Sequence, residues 1–365
     1  MNLEKVNYIN RDNLHYDNGR KIHSFNKPFM IIISSRDPGK TSWFWCMAYQ
    51  NFKEKGMKGI LMCRQVVEIT EAYLEDIENE INKFLEEDKQ VKFNYAISTA
   101  KVNGYLDVFV EGELFFRVVA LSIKMVRLKK MKVRKCGWIA QDEYIIDPRT
   151  QEKYLPNEAM RIKELYTTNN RTSFYEDKPI RMYILGNPYS LFNPLFVDFN
   201  VDTSKLKIGE ILVGGNYVID YYKMKQELRD FLLKKNPYYE FDEDYKGYAL
   251  EGKPVNDVGL KIEASSPSNY HLSFVVRMSG KFIGVFKNND LFSGDYYYCK
   301  EVDENYGSTK GRFAFDFKDL VEGTTLFSGE DKMAMAFFKR AIQKRKVTYS
   351  SVSIAYFIEE LYQYI

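Results

Sequence analysis

Eight consecutive residues, Ser34-Ser35-Arg36-Asp37-Pro38-Gly39-Lys40-Thr41, have the types and spacing of a phosphate cradle. They follow Gly-x-x-x-x-Gly-Lys-[Ser/Thr] except that Ser34 stands at the first glycine, a change the loop tolerates if Ser34 can take the required backbone shape. In such a loop the amides of the turn and of the next helix hold phosphate oxygens, Lys40 adds a point charge, and the Thr41 hydroxyl ligates Mg²⁺. All eight are therefore candidate ATP contacts. Asp142-Glu143 supplies the second half of the chemistry: Asp142 can hold Mg²⁺ through water, while Glu143 orients and deprotonates an attacking water. Charge developing on the transferring phosphoryl group calls for an arginine, and Arg64 and Arg171 are the candidates, each with an ordinary surface ion pair as its alternative. Asn187 is a candidate γ-phosphate sensor, with a turn-initiating Asn-Pro as the alternative.

The elements that must position these groups are legible around them. Phe29 to Ile33 is a continuous apolar run of the kind a parallel strand covered on both faces shows. The phosphate loop follows it, and a helix follows from Ser42. Gly59 to Cys63 is a second strand, about 20 residues on, which completes a βαβ unit. Thr70 caps an amphipathic helix with Leu74, Ile77, Ile81 and Phe84 on its inner face. Segments near Val102 to Val110 and Leu114 to Leu121 form a hairpin turning at Glu111-Gly112-Glu113. Trp138-Ile139-Ala140-Gln141 is a strand delivering Asp142, with Gln141 a polar departure in it. A helix is expected from Asn157 to Thr168, and Arg181 to Gly186 is a strand ending at Asn187-Pro188. This first domain is placed at residues 1–205. Residues 206–257 read as a linker with one helical run, Tyr221 to Lys234. Residues 258–365 read as an α+β domain of short strands (259–264, 270–277, 281–287, 296–302, 312–317) followed by helices at 330–346 and 351–364.

Between Leu114 and Gln141 there is no acid, and Lys124, Arg127, Lys129, Lys130, Lys132, Arg134 and Lys135 fall within this stretch. No aromatic residue lies between Lys124 and Lys135, so base stacking is not what it offers; sequence-independent contact with backbone phosphates is. Lys124, Arg127, Lys129, Lys130 and Lys132 are the candidate DNA contacts, against a solvated or subunit-contacting segment. The whole chain is otherwise balanced, with 53 Lys and Arg against 50 Asp and Glu in 365 residues, which excludes a polycationic tail protein. An apolar fraction of 45% excludes disorder throughout. The 28 Tyr and 26 Phe give bulk enough to build cores from few side chains. Cys46, Cys63, Cys136 and Cys299 show neither a disulfide framework nor a zinc ribbon, and His15, His23 and His271 lack metal-ligand spacing. A metal, if bound, is held by oxygen, as Mg²⁺ is. The Met1 to Lys5 start has no apolar signal region and no run approaches a membrane span, so a soluble protein of a reducing cytoplasm is expected.

In order and content these motifs resemble the φ29-type bacteriophage DNA packaging ATPases, relatives of large terminase motors. The resemblance is carried by Ile32-Ile33-Ser34 through Thr41, Asp142-Glu143-Tyr144, the helix opening at Pro156-Asn157-Glu158 and closing at Asn170-Arg171, and Leu185-Gly186-Asn187-Pro188. It implies a P-loop NTPase of the additional-strand type followed by a smaller α+β domain, ribonuclease-H-like and non-catalytic. It implies a homopentameric ring in the host bacterial cytoplasm, transiently at the portal vertex of an empty capsid. There it would be attached to the portal directly or through a structural RNA, threading double-stranded DNA inward by ATP hydrolysis. By the same resemblance Lys40 and Thr41 hold phosphate and Mg²⁺, Asp142 and Glu143 are the metal and water-activating pair, and Arg171 is an arginine finger acting in trans. Thr172 and Ser173 depart from an arginine-richer family pattern. Glu263, Asp295, Glu301, Asp303 and Asp316 are the acids a two-metal nuclease site in the second domain would draw on. Two other readings remain: a terminase-like nuclease with an accessory ATPase, and a P-loop kinase of a small substrate.

Overall fold

The structure is a computed structural model. It describes residues 15–361 other than 148–149, 151, 190, 192, 200, 202, 242, 254–260, 266–267, 279, 290–295, 309, 316–318, 328–331, 345, 352–353, 356 and 359–360. The Met1 to Lys5 start thus lies outside the described residues. Two units divide the chain, Met1–Val255 and Asn256–Ile365.

The first unit runs α1 (Gly19–Ser24), β1 (Phe29–Ser34), α2 (Lys40–Lys55), β2 (Lys58–Cys63), α3 (Glu71–Asn82), β3 (Phe93–Asn94), α4 (Ser98–Asn103), β4 (Tyr105–Val110), β5 (Glu113–Ala120), α5 (Met125–Leu128), β6 (Cys136–Gln141), α6 (Glu158–Asn170), β7 (Arg181–Gly186), α7 (Pro194–Asp198), β8 (Ile211–Val213), β9 (Tyr217–Tyr222), α8 (Gln226–Lys235), α9 (Tyr238–Phe241) and α10 (Glu243–Leu250). Its sheet has the order β3-β4-β5-β2-β6-β7-β1-β9-β8. Six strands, β5 through β9 in that order, pair in parallel. The 105–120 hairpin and β3 close one edge antiparallel, and β8 closes the other. β7 lies between β1, which carries the phosphate loop, and β6, which carries Asp142; it is the additional strand.

The continuous apolar strands are explained by burial on both faces. Along β1 the side chains alternate between two cores: Met30 and Ile32 pack with α2 and α3, Ile31 and Ile33 with α6. On the first face Trp45 meets Phe115, Phe116 and Trp138 at ring separations of 6.4, 5.1 and 5.8 Å. Gly59 belongs to this packing, since a Cβ there would stand 1.9 Å from the Trp138 ring. Thr70 caps α3 by accepting the Tyr73 amide, and Leu74, Ile77 and Ile81 are buried as expected. Gln141 is buried as well, so the strand is covered to its last residue.

Residues 206–257 depart from the linker expected of them. β9 pairs in parallel with β1 over Tyr217 to Tyr222, and Val218, Ile219, Tyr221 and Tyr222 are buried. Tyr221 and Tyr222 are thus strand residues, and the helix starts only at Gln226. Asp220 disguises the strand. Its carboxylate is buried because the Tyr16 hydroxyl donates to it at 2.7 Å and the Asn18 amide at 3.2 Å.

The second unit contains β10 (Lys261–Ile262), β11 (Tyr270–Met278), β12 (Lys281–Asn288), β13 (Tyr297–Val302), β14 (Arg312–Ala314), β15 (Thr325–Leu326), α11 (Lys332–Gln343) and β16 (Val347–Tyr349). The sheet order is β10-β16-β13-β12-β11-β14-β15, antiparallel among β11, β12 and β13 and parallel elsewhere. β15 and β16 were not expected; at two and three residues they are too short to show alternation. The expected 351–364 helix lies partly outside the described residues, but Ile354, Ala355, Phe357, Ile358 and Leu361 are helical and buried. Among the described residues no helix is long and apolar enough to cross a membrane.

Candidate nucleotide site

β1, β6 and β7 are parallel neighbours, so the turns after Ser34, Gln141 and Gly186 open on one edge of the sheet. Ser34 is still strand and lies outside the left-handed region, which is why serine serves where the pattern has glycine. The left-handed positions of the loop are Asp37 (φ 65°) and Gly39 (φ 86°). Glycine takes that shape without strain, and Asp is among the side chains that tolerate it. Gly39 is the N-cap of α2, so the next amides belong to the first turn, where no helical partner exists and an anion is favoured.

Two hydrogen bonds tie this loop to the neighbouring strand ends. Lys40 Nζ donates to Asn187 Oδ1 at 2.7 Å, and Thr41 Oγ1 donates to Asp142 Oδ2 at 2.8 Å. The other Asp142 oxygen accepts the Glu143 amide at 2.9 Å. Glu143 is exposed and left-handed (φ 51°), a shape that costs an L-residue roughly 1–2 kcal/mol. Burial pushes the Lys40 ammonium down from its ordinary value against the opposing pull of Asp142, Glu143 and Asp37. Desolvation raises both carboxyls; Lys40 and Thr41 oppose it at Asp142, whereas at Glu143 the Asp142 charge adds to it. A hydroxyl and a carboxylate side by side are hard oxygen donors, the set that suits Mg²⁺ completed by phosphate and water. Ser35 Oγ is buried in the loop without a hydrogen-bond partner.

The remaining candidates are placed differently. Ser34 Oγ donates to the Ser35 carbonyl at 3.0 Å, and Pro38 is buried. Arg36 has its own partners: Nη2 donates to the Tyr189 hydroxyl at 2.8 Å, the guanidinium lies 5.9 Å from the Tyr248 ring centroid, and its amide donates to the Ala249 carbonyl. Arg64 is not gathered with the phosphate loop. Its guanidinium is buried against Glu158 at 3.1 Å and donates to the Tyr144 carbonyl, because Glu158 is the buried carboxylate nearest to it. Arg171 is exposed at the end of α6, whose last turn lies by the start of β6: Asn169 accepts the Val133 amide and the Phe174 amide donates to the Cys136 carbonyl. Asp142 follows the other end of β6, six residues and about 20 Å away, so Arg171 does not join its own chain's site. Lys124, Arg127, Lys129, Lys130, Lys132, Arg134 and Lys135 are all exposed above buried Leu128, Met131 and Val133; Lys129 pairs with Glu164 of α6 at 3.4 Å. In the second unit Glu263, Glu301 and Asp303 are exposed, and Asp295 and Asp316 lie outside the described residues. Sequence reasoning missed Tyr189, Tyr248 and the Glu158 carboxylate as neighbours of the site. Tyr189, two residues past Asn187, was the one within reach of a motif.

No protein-family model and no curated protein sequence matches the chain. Among solved structures, a chain of the bacteriophage Phi-29 viral genome packaging motor assembly aligns over 96% of this chain and 99% of its own, with 19% identity and a TM-score of 0.61. The Phi-28 gp11 DNA packaging motor aligns over 93% and 94%, with 14% identity and a TM-score of 0.65. At these identities the likeness is one of fold, and the chain has the fold of the φ29-type packaging motor proteins across nearly its whole length.

Proposed function

We propose that the chain is an ATP-driven motor that moves double-stranded viral DNA into a preformed capsid, working as a ring of identical subunits. The observation that carries the reading is the pair of links, Lys40 to Asn187 and Thr41 to Asp142, at the edge where β7 separates β1 from β6. The fold shared with two viral packaging motors supports the step from nucleotide hydrolysis to DNA transport.

In this reading the amides after Gly39 and the Lys40 ammonium hold the β- and γ-phosphates. Asn187 keeps Lys40 in place until phosphate replaces it. Thr41 and Asp142 would hold Mg²⁺, which when bound neutralises developing phosphate charge. Glu143 takes a proton from the attacking water at its carboxylate; its exposure gives water access and its raised pKa brings it closer to neutrality, where a general base works best. Arg171, at the opposite edge of the sheet, serves a neighbour's site, which is the reason for a ring, a pentamer by resemblance. The exposed 124–135 cations track DNA phosphates. The second unit, with its mixed sheet, is a ribonuclease-H-like interaction module toward the portal, directly or through a structural RNA, and the host cytoplasm is where the motor meets the capsid.

The test is ATP hydrolysis with and without long duplex DNA. Wild type is expected to hydrolyse ATP faster with DNA and to leave the DNA uncut on an agarose gel. Lys40→Ala abolishes turnover, and Glu143→Gln retains ATP binding while stopping it. Turnover by Glu143→Gln near the wild-type rate sinks the assignment of the base, and hydrolysis indifferent to DNA sinks the motor.

A further inference from the structure

The left-handed backbone at Glu143 has to be held by its surroundings, and the fastening is on the next residue. The Tyr144 amide donates to the Leu185 carbonyl at 3.0 Å, its hydroxyl accepts the Leu195 amide at 3.1 Å, and its carbonyl accepts from Arg64 Nη2. Arg64 directly follows β2, the strand beside β6. Its guanidinium is itself gripped on three sides: Nε donates to both Glu158 oxygens at 3.1 Å, and the rings of Tyr154 and Tyr144 lie 5.0 and 5.4 Å from it. Glu158 is fixed in turn by the Leu155 amide at 2.7 Å. Burying an ion pair is costly and apolar replacements often serve stability as well, so a buried pair spent on one backbone carbonyl beside a strained residue serves geometry.

We propose that Arg64 is a positioning residue for Glu143, acting through the Tyr144 carbonyl, with Glu158 holding the guanidinium in the one orientation that reaches it. The inference rests on the reading of Glu143 as the base. Lysine at 64 keeps the charge but lacks the planar fork that serves Glu158 and the carbonyl together. Misplacing a catalytic group by about 1 Å costs on the order of 10²-fold. Arg64→Lys should therefore lower kcat about 10- to 100-fold while KM and the Kd of a fluorescent ATP analogue stay near wild type. Glu158→Gln, which preserves shape, should do the same.

The discriminating measurement repeats Arg64→Lys in a Glu143→Gln background, with residual hydrolysis read by single-turnover assay and folding by circular dichroism melts. A residue that works through Glu143 has nothing left to position there, so the residual rate should not fall further. The proposal is overturned if the Arg64→Lys penalty persists in full in that background, or if Arg64→Lys and Glu158→Gln both keep the wild-type kcat. Should Arg64→Lys lose its cooperative melt, Glu158→Gln alone and with Glu143→Gln decides by the same criteria. A Glu143→Gln protein with wild-type turnover would instead count against the base, and so against the proposed function, before Arg64 is touched.

Discussion

Asn187→Ala separates a residue that holds Lys40 in place from a turn former. Lys40 is 7% exposed and Asn187 5%, and the Lys40 ammonium donates to Asn187 Oδ1 at 2.7 Å. A hydrogen bond to a charged group contributes about 1.5–3 kcal/mol. Losing it leaves a buried ammonium that burial already disfavours. At about 2–4 °C per kcal/mol for a unit of this size, the first unit's Tm should fall by roughly 3–12 °C. All three tryptophans, Trp43, Trp45 and Trp138, lie in that unit, so intrinsic fluorescence follows its melting without interference from the second. With saturating Mg²⁺-ATP the phosphates take over Lys40 and the gap between variant and wild type should close. Lys40→Met removes the charge, and in that background Asn187→Ala should cost little. The reasoning fails if Asn187→Ala costs as much beside Met as beside Lys, or if ATP leaves the gap unchanged.

Reversing the charge of Lys129, Lys130 and Lys132 should weaken duplex binding alike for every sequence and flatten log affinity against log salt by roughly 0.9 per lost phosphate contact; an unchanged slope makes the segment a solvated face. Arg171→Ala mixed with Glu143→Gln should recover turnover that neither has alone, measured at equal total concentration on DNA, whereas full wild-type activity at concentrations holding only monomer would remove the trans role. His23 lies 3.0 Å from the Tyr183 hydroxyl, and burial, then Arg181, pushes its pKa down to about 3. The unfolded chain therefore takes up a proton first as pH falls from about 6.5, and stability should drop by up to about 1.4 kcal/mol per pH unit toward pH 3, the steepness lost in His23→Phe under urea titration at each pH.

What sequence showed and what it concealed divide by the range of the partner. β1 and its loop, the Thr70 cap and the 105–120 hairpin are written in neighbouring residues, and each was legible because its own pattern suffices. β9 was not, because the Asp220 that breaks its apolar run is satisfied by Tyr16, 204 residues away. Arg64 looked like a phosphate ligand because it follows a strand at the right edge; only the fold shows Glu158, 94 residues on, claiming its guanidinium. Arg36 likewise looks like a loop cation until Tyr189 and the 248–249 segment are brought to it.

In the proposed mechanism the two ends of α6 have different tasks. Its first residue, Glu158, holds the arginine that fastens the Glu143 turn, and its C-cap is Arg171, about 20 Å away along thirteen helical residues. A helix of that length, buried at Ile162, Leu165 and Thr168 and anchored at its far end by the Asn169 bonds to Met131 and Val133, is packed in a way that favours rigid-body displacement over internal bending. If Arg171 enters a neighbour's site, a change at one subunit's Glu143 turn and the position of the arginine it lends are then two readings of a single displacement. Successive sites in a ring would be coupled through α6 without any need for the second unit.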